Sequence, residues 1–283
     1  MKEEFRGSQD YVASEELLQA ANIAIALQKP LLIKGEPGTG KTVLAQAIAT
    51  AMGKPLTIWN IKSTTKAQDG LYVYDVVQRL YDSQFGGQGV DDIKKYVKLG
   101  KLGEAFSSEE QVVLLIDEID KADEEFEAFL LELLSEMQVT IPEVGTIRAN
   151  SVPFVVLTSN RARPLSEALR RRCAYLYIEY PDMEKELAIL RAKLPHVDDR
   201  LCAQVALAVQ KLRSNETILK KPSIAETLDW AAALDALGIR ELTPDALRKT
   251  AGFVLKNNED MAALDGEETG GCHCGGCEGH HHG

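Results

Sequence analysis

GEPGTGKT, residues 35–42, decides how the chain is read. Gly35, Gly40, Lys41 and Thr42 fill every fixed position of the pattern G-x-x-x-x-G-K-[S/T]. The flanks supply the context this pattern needs: Leu31, Leu32 and Ile33 predict a buried strand before it, and 43–52 predicts a helix after it. Gly35, Gly38 and Gly40 let the backbone turn tightly, so that its N–H groups point inward at phosphate oxygens. The following helix offers the positive end of its dipole to the same anion. The expected phosphate-binding set is Gly35, Glu36, Pro37, Gly38, Thr39, Gly40, Lys41, Thr42 and Val43. Lys41 is placed to reach the β and γ phosphates as a point charge, and Thr42 to offer a hydroxyl to Mg²⁺. A plain glycine-rich turn ahead of a helix explains neither Lys41 nor Thr42.

The second anchor is QVVLLIDEIDKAD, residues 111–123. Val112 to Ile116 form the continuous apolar run expected of a central parallel strand covered on both faces, and the run ends abruptly in Asp117 and Glu118. Two carboxylates at the end of a buried strand are costly unless a charge answers them, and Mg²⁺ with its water shell supplies one. Asp117 is therefore expected to hold Mg²⁺ through a water, and Glu118 to orient and polarise the water that attacks the γ phosphate. Taken alone, the pair also fits a strand that simply ends in a polar loop; its separation from GEPGTGKT favours the nucleotide reading.

Composition bounds the rest. The chain has 283 residues, 45% hydrophobic and 27% charged, which suits a large domain plus a smaller one. No apolar stretch approaches the ~20 residues that span a bilayer, and the acidic, polar start MKEEFRGSQD does not look like a secretory signal, so a cytoplasmic protein is expected. A net charge of −11 argues against a dominant nucleic-acid surface.

Along the chain, Ser14 with Glu15 and Glu16 predicts a helix start, and 55–61 predicts a second strand. Residues 62–107 are harder to read; 91–106 suggests a short helix and a connection. Phe126, Phe129, Leu130, Leu133 and Leu134 mark an amphipathic helix, 139–149 a hairpin turning near Pro142 to Gly145, and 154–158 another buried strand. That strand ends in Ser159 and Asn160, whose amide could hold the attacking water. Arg170, Arg171 and Arg172 close a short helix before a last strand at 174–180. They suit a solvated face, a helix C-terminus, or an arginine finger that enters a neighbouring subunit's site. After Pro181 strands stop, and helices are expected at 183–194, 201–212, 223–237 and 243–255.

These residues resemble an AAA+ ATPase, and more closely the MoxR family, over about residues 10–258. The carriers are GEPGTGKT at 35–42, LLIDEID at 114–120, LTSN at 157–160, ALRRRC at 168–173 and IKSTTKAQDGLYVYDVVQRL from 61. The resemblance implies an α/β P-loop NTPase fold, with a five-stranded parallel αβα sandwich over 1–181 and a helical lid over 182–258. A flexible Cys/His-rich tail would follow at 259–283. It matches Asp117 and Glu118 to the Walker B pair, Asn160 to sensor 1, and Arg172, ahead of Arg171, to the arginine finger. Glu118, Lys41, Asn160 and Arg172 are thus the expected catalytic set, with ATP and Mg²⁺ as cofactors. One departure stands out: KKPSIAETLDW, residues 220–230, has no arginine where the family often carries sensor 2, leaving Lys220 or Lys221 as substitutes. The family further implies a homo-oligomeric ring, a hexamer, that remodels a client beside von Willebrand A domain proteins or matures metalloenzymes.

The segment 267–283 reads EETGGCHCGGCEGHHHG. Cys272, His273, Cys274, Cys277, His280, His281 and His282 are suited to Zn²⁺, Ni²⁺ or Cu⁺. A tag or adventitious binding is the plain alternative. The competing functions are a DNA-associated clamp-loader-like ATPase and an ATP-switched metal-binding protein.

Overall fold

A computed structural model describes residues 5–7, 11–85, 92–141, 145–160 and 163–266. The chain divides into two units, Met1–Tyr180 and Pro181–Gly283. The division falls where strand-forming sequence gives out at Pro181.

In the first unit, α1 (Glu15–Leu27) buries Leu17, Ala21, Ala24 and Ile25, the residues that recur at helical spacing. β1 (Leu31–Gly35) leads through the glycine loop into α2 (Lys41–Ala51), and β2 (Leu56–Asn60) follows. The next stretch holds α3 (Ala67–Leu71), β3 (Tyr72–Tyr74), α4 (Val76–Gln84), β4 (Val97–Leu99) and α5 (Lys101–Ser107). Then come β5 (Val113–Asp117), α6 (Glu124–Glu136), the hairpin β6 (Gln138–Ile141) and β7 (Gly145–Arg148), β8 (Phe154–Ser159), α7 (Glu167–Arg172) and β9 (Ala174–Ile178). The hairpin forms as expected; residues 142–144 of its turn lie outside the described residues.

The main sheet runs β2-β5-β8-β1-β9, and every pairing is parallel. Alternation splits its side chains between two cores. Leu32, Leu114, Ile116, Val155 and Leu157 pack on one face with Trp59, Phe106 and Phe126. Leu31, Ile33, Val113, Leu115 and Val156 pack on the other with α1 and α2. Covering on both faces explains why these strands read as unbroken apolar runs. This is the expected αβα sandwich with a five-stranded parallel sheet.

Residues 62–107 depart from expectation. A two-stranded antiparallel sheet joins β3 to β4, with Tyr72 opposite Leu99 and Tyr74 opposite Val97, so a strand lies within the connection expected in 91–106 and a second, unexpected one precedes it. The short helix expected within 91–106 is α5, and one further helical turn covers Ile93–Tyr96. Helix α4 is held on its polar side: Asp82 accepts from Tyr96 Oη at 2.9 Å and pairs with Lys95, and Asp75 pairs with Lys98. Its apolar side chains face outward, with Val77, Leu80, Tyr81 and Phe85 all exposed.

The second unit is helical: α8 (Met183–Lys193), α9 (Asp199–Ser214), α10 (Ile224–Ala236), α11 (Pro244–Thr250) and α12 (Asn258–Gly266). Side-chain caps fix the starts of the first four, from Asp182, Asp198, Ser223 and Thr243. The core gathers around Trp230, whose Nε1 donates to Thr250 Oγ1 at 2.8 Å. Helix α12 corrects the expectation of a flexible tail from 259. Asp260 within it is fully buried and accepts from the N–H groups of Leu219 (2.7 Å) and Lys220 (3.1 Å), tying the helix to the α9–α10 connection.

Candidate active site

Parallel register brings the C-terminal ends of β1, β5 and β8 side by side, with Asn60 opposite Asp117, Ile116 opposite Leu157, and Lys34 opposite Ser159. In an open α/β sheet this edge carries the ligand site. The glycine loop leaves β1 here. A Cβ on Gly35 would stand 2.5 Å from the carbonyl oxygen of Ile178 on β9, so only glycine fits. Gly40 caps α2 at φ 87, a conformation that favours glycine, and the helix begins at once with Lys41, Thr42 and Val43. Its first N–H groups are therefore directed toward the loop, where an anion would complete them.

Lys41 is 6% exposed and donates to the carbonyls of Gly35 (3.0 Å) and Glu36 (2.6 Å). Burial draws its pKa below the usual lysine value, opposed by the charges of Asp117, Asp120, Glu36 and Glu118. Within the loop, the Thr39 hydroxyl donates to Glu36 O at 2.8 Å, and Pro37 and Gly38 form the turn between them.

From Thr42 a continuous hydrogen-bonded chain crosses the strand ends. The Thr42 hydroxyl donates to Asp117 Oδ2 at 3.1 Å, and the Thr158 hydroxyl donates to Asp117 Oδ1. Thr158 Oγ1 also accepts from the Glu118 N–H at 2.9 Å. Asn160 Nδ2 donates to Glu118 Oε1 at 2.8 Å, and the Asn160 N–H donates to Asp120 Oδ1 at 3.1 Å. Glu118 itself sits at φ 60, ψ 45, a left-handed conformation that a glutamate seldom adopts. Lys121 closes the set with an ion pair to Glu118 Oε2, which raises the lysine's pKa. Lys41, Thr42, Asp117, Glu118 and Asn160 thus lie together at these strand ends. Thr158, Asp120 and Lys121 were missed, although a threonine two residues before Asn160 in a buried strand was a usable signal.

Arg172 is not part of this gathering. Its Nε donates to Ser135 Oγ on α6 at 3.0 Å, and its NH1 to Ala168 O at 3.3 Å; Arg171 pairs with Glu167. A nearby ion pair, Arg163 with the 2% exposed Glu127, pins the segment after β8 to α6. In the second unit, Lys221 donates to Asn215 O, and Lys220 lies 3.8 Å from Glu226. Cys272, His273, Cys274, Cys277, His280, His281 and His282 lie outside the described residues. Among the described residues, no cluster of three metal-ligating side chains occurs and no helix is long and apolar enough to cross a membrane.

The chain is 29% identical over 243 residues to the uncharacterized protein YojN of Bacillus subtilis, covering 83% of this chain and 72% of that one. It is 28% identical over 183 residues to the ATP-dependent zinc metalloprotease FtsH 3 of Phytoplasma mali, covering 60% of this chain and 26% of that protein. Among solved structures, a RuvB mutant of Thermotoga maritima superposes with a TM-score of 0.57 over 90% of this chain and 75% of that one; at 20% identity this likeness speaks to fold alone. The model of the "ATPase family associated with various cellular activities (AAA)" matches residues 31–179, the stretch that carries the sheet and every residue of the hydrogen-bonded chain. The chain therefore belongs to the AAA family of ATPases, whose members hydrolyse ATP.

Proposed function

We propose that the chain is a MoxR-type AAA+ ATPase that uses ATP hydrolysis to remodel or mature a client protein. The observation that carries the site assignment is the unbroken chain Thr42, Asp117, Thr158, Glu118, Asn160 across neighbouring strand ends. In this reading the loop N–H groups of 35–43 and the Lys41 ammonium bind the phosphates. Thr42 and Asp117 present hard oxygen donors 3.1 Å apart, a donor set that suits Mg²⁺. When bound, Mg²⁺ neutralises phosphate charge. Glu118 polarises the attacking water, and Asn160 holds the glutamate and the water in register. Arg172, exposed at the end of α7, completes the site of the next subunit in a ring, as a hexamer would require. The exposed apolar face of α4 supports a protein client, since patches of this kind mark interaction surfaces.

Glu118→Gln in ATP should hold the machine on its client. Capture from a native extract should recover a von Willebrand A domain protein or a metalloenzyme subunit. Recovery of replication proteins instead would favour the DNA-associated alternative. A second reading rests on the seven Cys and His residues of 272–282: an ATP-switched metal carrier. It predicts nucleotide-dependent Zn²⁺ affinity that is lost when 271–283 is removed; affinity indifferent to nucleotide would refute it.

A further inference from the structure

Glu118 has a donor on each carboxylate oxygen. Asn160 Nδ2 occupies Oε1 at 2.8 Å and the Lys121 ammonium occupies Oε2. The second contact is built into the backbone. Glu118 opens the single helical turn Ile119–Lys121, and the Lys121 N–H donates to Glu118 O at 3.0 Å, which folds the lysine back over the residue three positions earlier.

A carboxylate that orients a water must accept from that water's O–H. With Asn160 on one oxygen and an ammonium on the other, the water competes with a cation for the remaining lone pairs. The two donors differ in kind. Asn160 is anchored through its own N–H to Asp120, which is 3% exposed. Lys121 is anchored only at its backbone, and its side chain is 46% exposed. The lysine is thus the partner that can leave.

We propose that Lys121 is a positioning residue that restrains Glu118 in a resting arrangement, so that hydrolysis proceeds when the ammonium lets go of Oε2. This rests on the reading of Glu118 as the group that polarises the attacking water. It makes Lys121 a brake on basal turnover rather than a contributor to nucleotide binding. An exposed ion pair of this kind is weak and screened by salt, so the brake is modest: up to about fivefold in rate.

The test is steady-state ATP turnover of the full-length chain carrying Lys121→Met, with Lys121→Gln as a second neutral variant and Lys121→Arg as the conservative one. The kcat should rise about three- to fivefold in both neutral variants with KM unchanged, and Lys121→Arg should keep the parent's slower rate. Raising salt from about 0.05 to about 0.3 M should speed the parent relative to Lys121→Met, because only the parent has a pair to screen. A kcat in the neutral variants at or below the parent's, or the same salt response in all, overturns the proposal. Glu118→Gln separates the two ideas. If it turns over ATP like the parent, the reading of Glu118 fails; if it is inactive while Lys121→Met is no faster than the parent, the brake alone fails.

Discussion

The two units each draw a carboxylate away from water, Glu186 wholly and Asp117 in part, and they answer it in opposite ways. Glu186 on α8 is 1% exposed and fully met by protein: Arg213 NH2 at 2.8 Å and Thr227 Oγ1 at 2.9 Å on Oε1, Arg213 NH1 and Gln210 Nε2 at 2.7 Å on Oε2. Arg213 in turn donates its Nε to Pro222 O at 2.8 Å, so one ion pair ties three helices together. Asp117 at the end of β5 is met by the hydroxyls of Thr42 and Thr158, which bring no charge. Lys41 answers it only through the field, being itself bonded to carbonyls of its own loop. A carboxylate matched by a bidentate guanidinium is a structural fixture. One matched only by hydroxyls, which can turn, is left with negative charge that no bonded cation answers.

The sharpest way to break this contrast is Arg213→Met. It strands Glu186 in the core, and loss of one partner of a buried pair should cost ~3–5 kcal/mol of stability in the second unit, measured by denaturant unfolding. The phosphate site in the first unit should keep its local hydrogen-exchange protection. Lys41→Ala should behave in the reverse manner. Its burial already works against its charge, so stability should stay within about 1 kcal/mol of the parent, while nucleotide affinity should fall on the order of 100-fold through loss of charge-assisted bonds to phosphate. Calorimetric titration would show it.

Thr158→Ala removes the hydroxyl that serves both Asp117 Oδ1 and the Glu118 N–H, and should cost ~1–2 kcal/mol together with a drop in kcat. A stability loss with kcat untouched would mean that the hydroxyl does not position Glu118. The smallest effect is a labelling difference. Burial pushes the Cys173 thiol up to about 12 and raises that of Cys202, so neither should alkylate in the native protein at neutral pH. Cys173 belongs to the first unit's core and Cys202 to the second's. Arg213→Met should therefore advance labelling of Cys202 in rising denaturant ahead of Cys173.

What the sequence disclosed follows the same contrast. Asp117 and Glu118 stood out because an apolar run stopped at them, and GEPGTGKT because no packing requirement demands that pattern. The sheet was legible for a related reason: strands buried on both faces leave continuous apolar runs. Glu186 was invisible. It lies in MEKELAILRAK among charges that face water, and its partner is in a different helix, so nothing local separates it from Glu184 or Lys193. β3 and β4 are three residues each, too short for alternation to show, and α4 turns its apolar side outward, against the rule by which amphipathic helices are read. Asp260 reads as part of an acidic, polar end; only the N–H groups of Leu219 and Lys220 that it accepts from explain its burial.

The most direct measurement is ATP binding and turnover in Glu118→Gln beside the parent. Affinity within a few-fold of the parent's, with kcat lowered about 10²- to 10³-fold, is the predicted result, since the amide keeps the shape of the site and loses the base. Turnover equal to the parent's would contradict the assignment of Glu118, and with it the account of why the two carboxylates at the end of β5 are there.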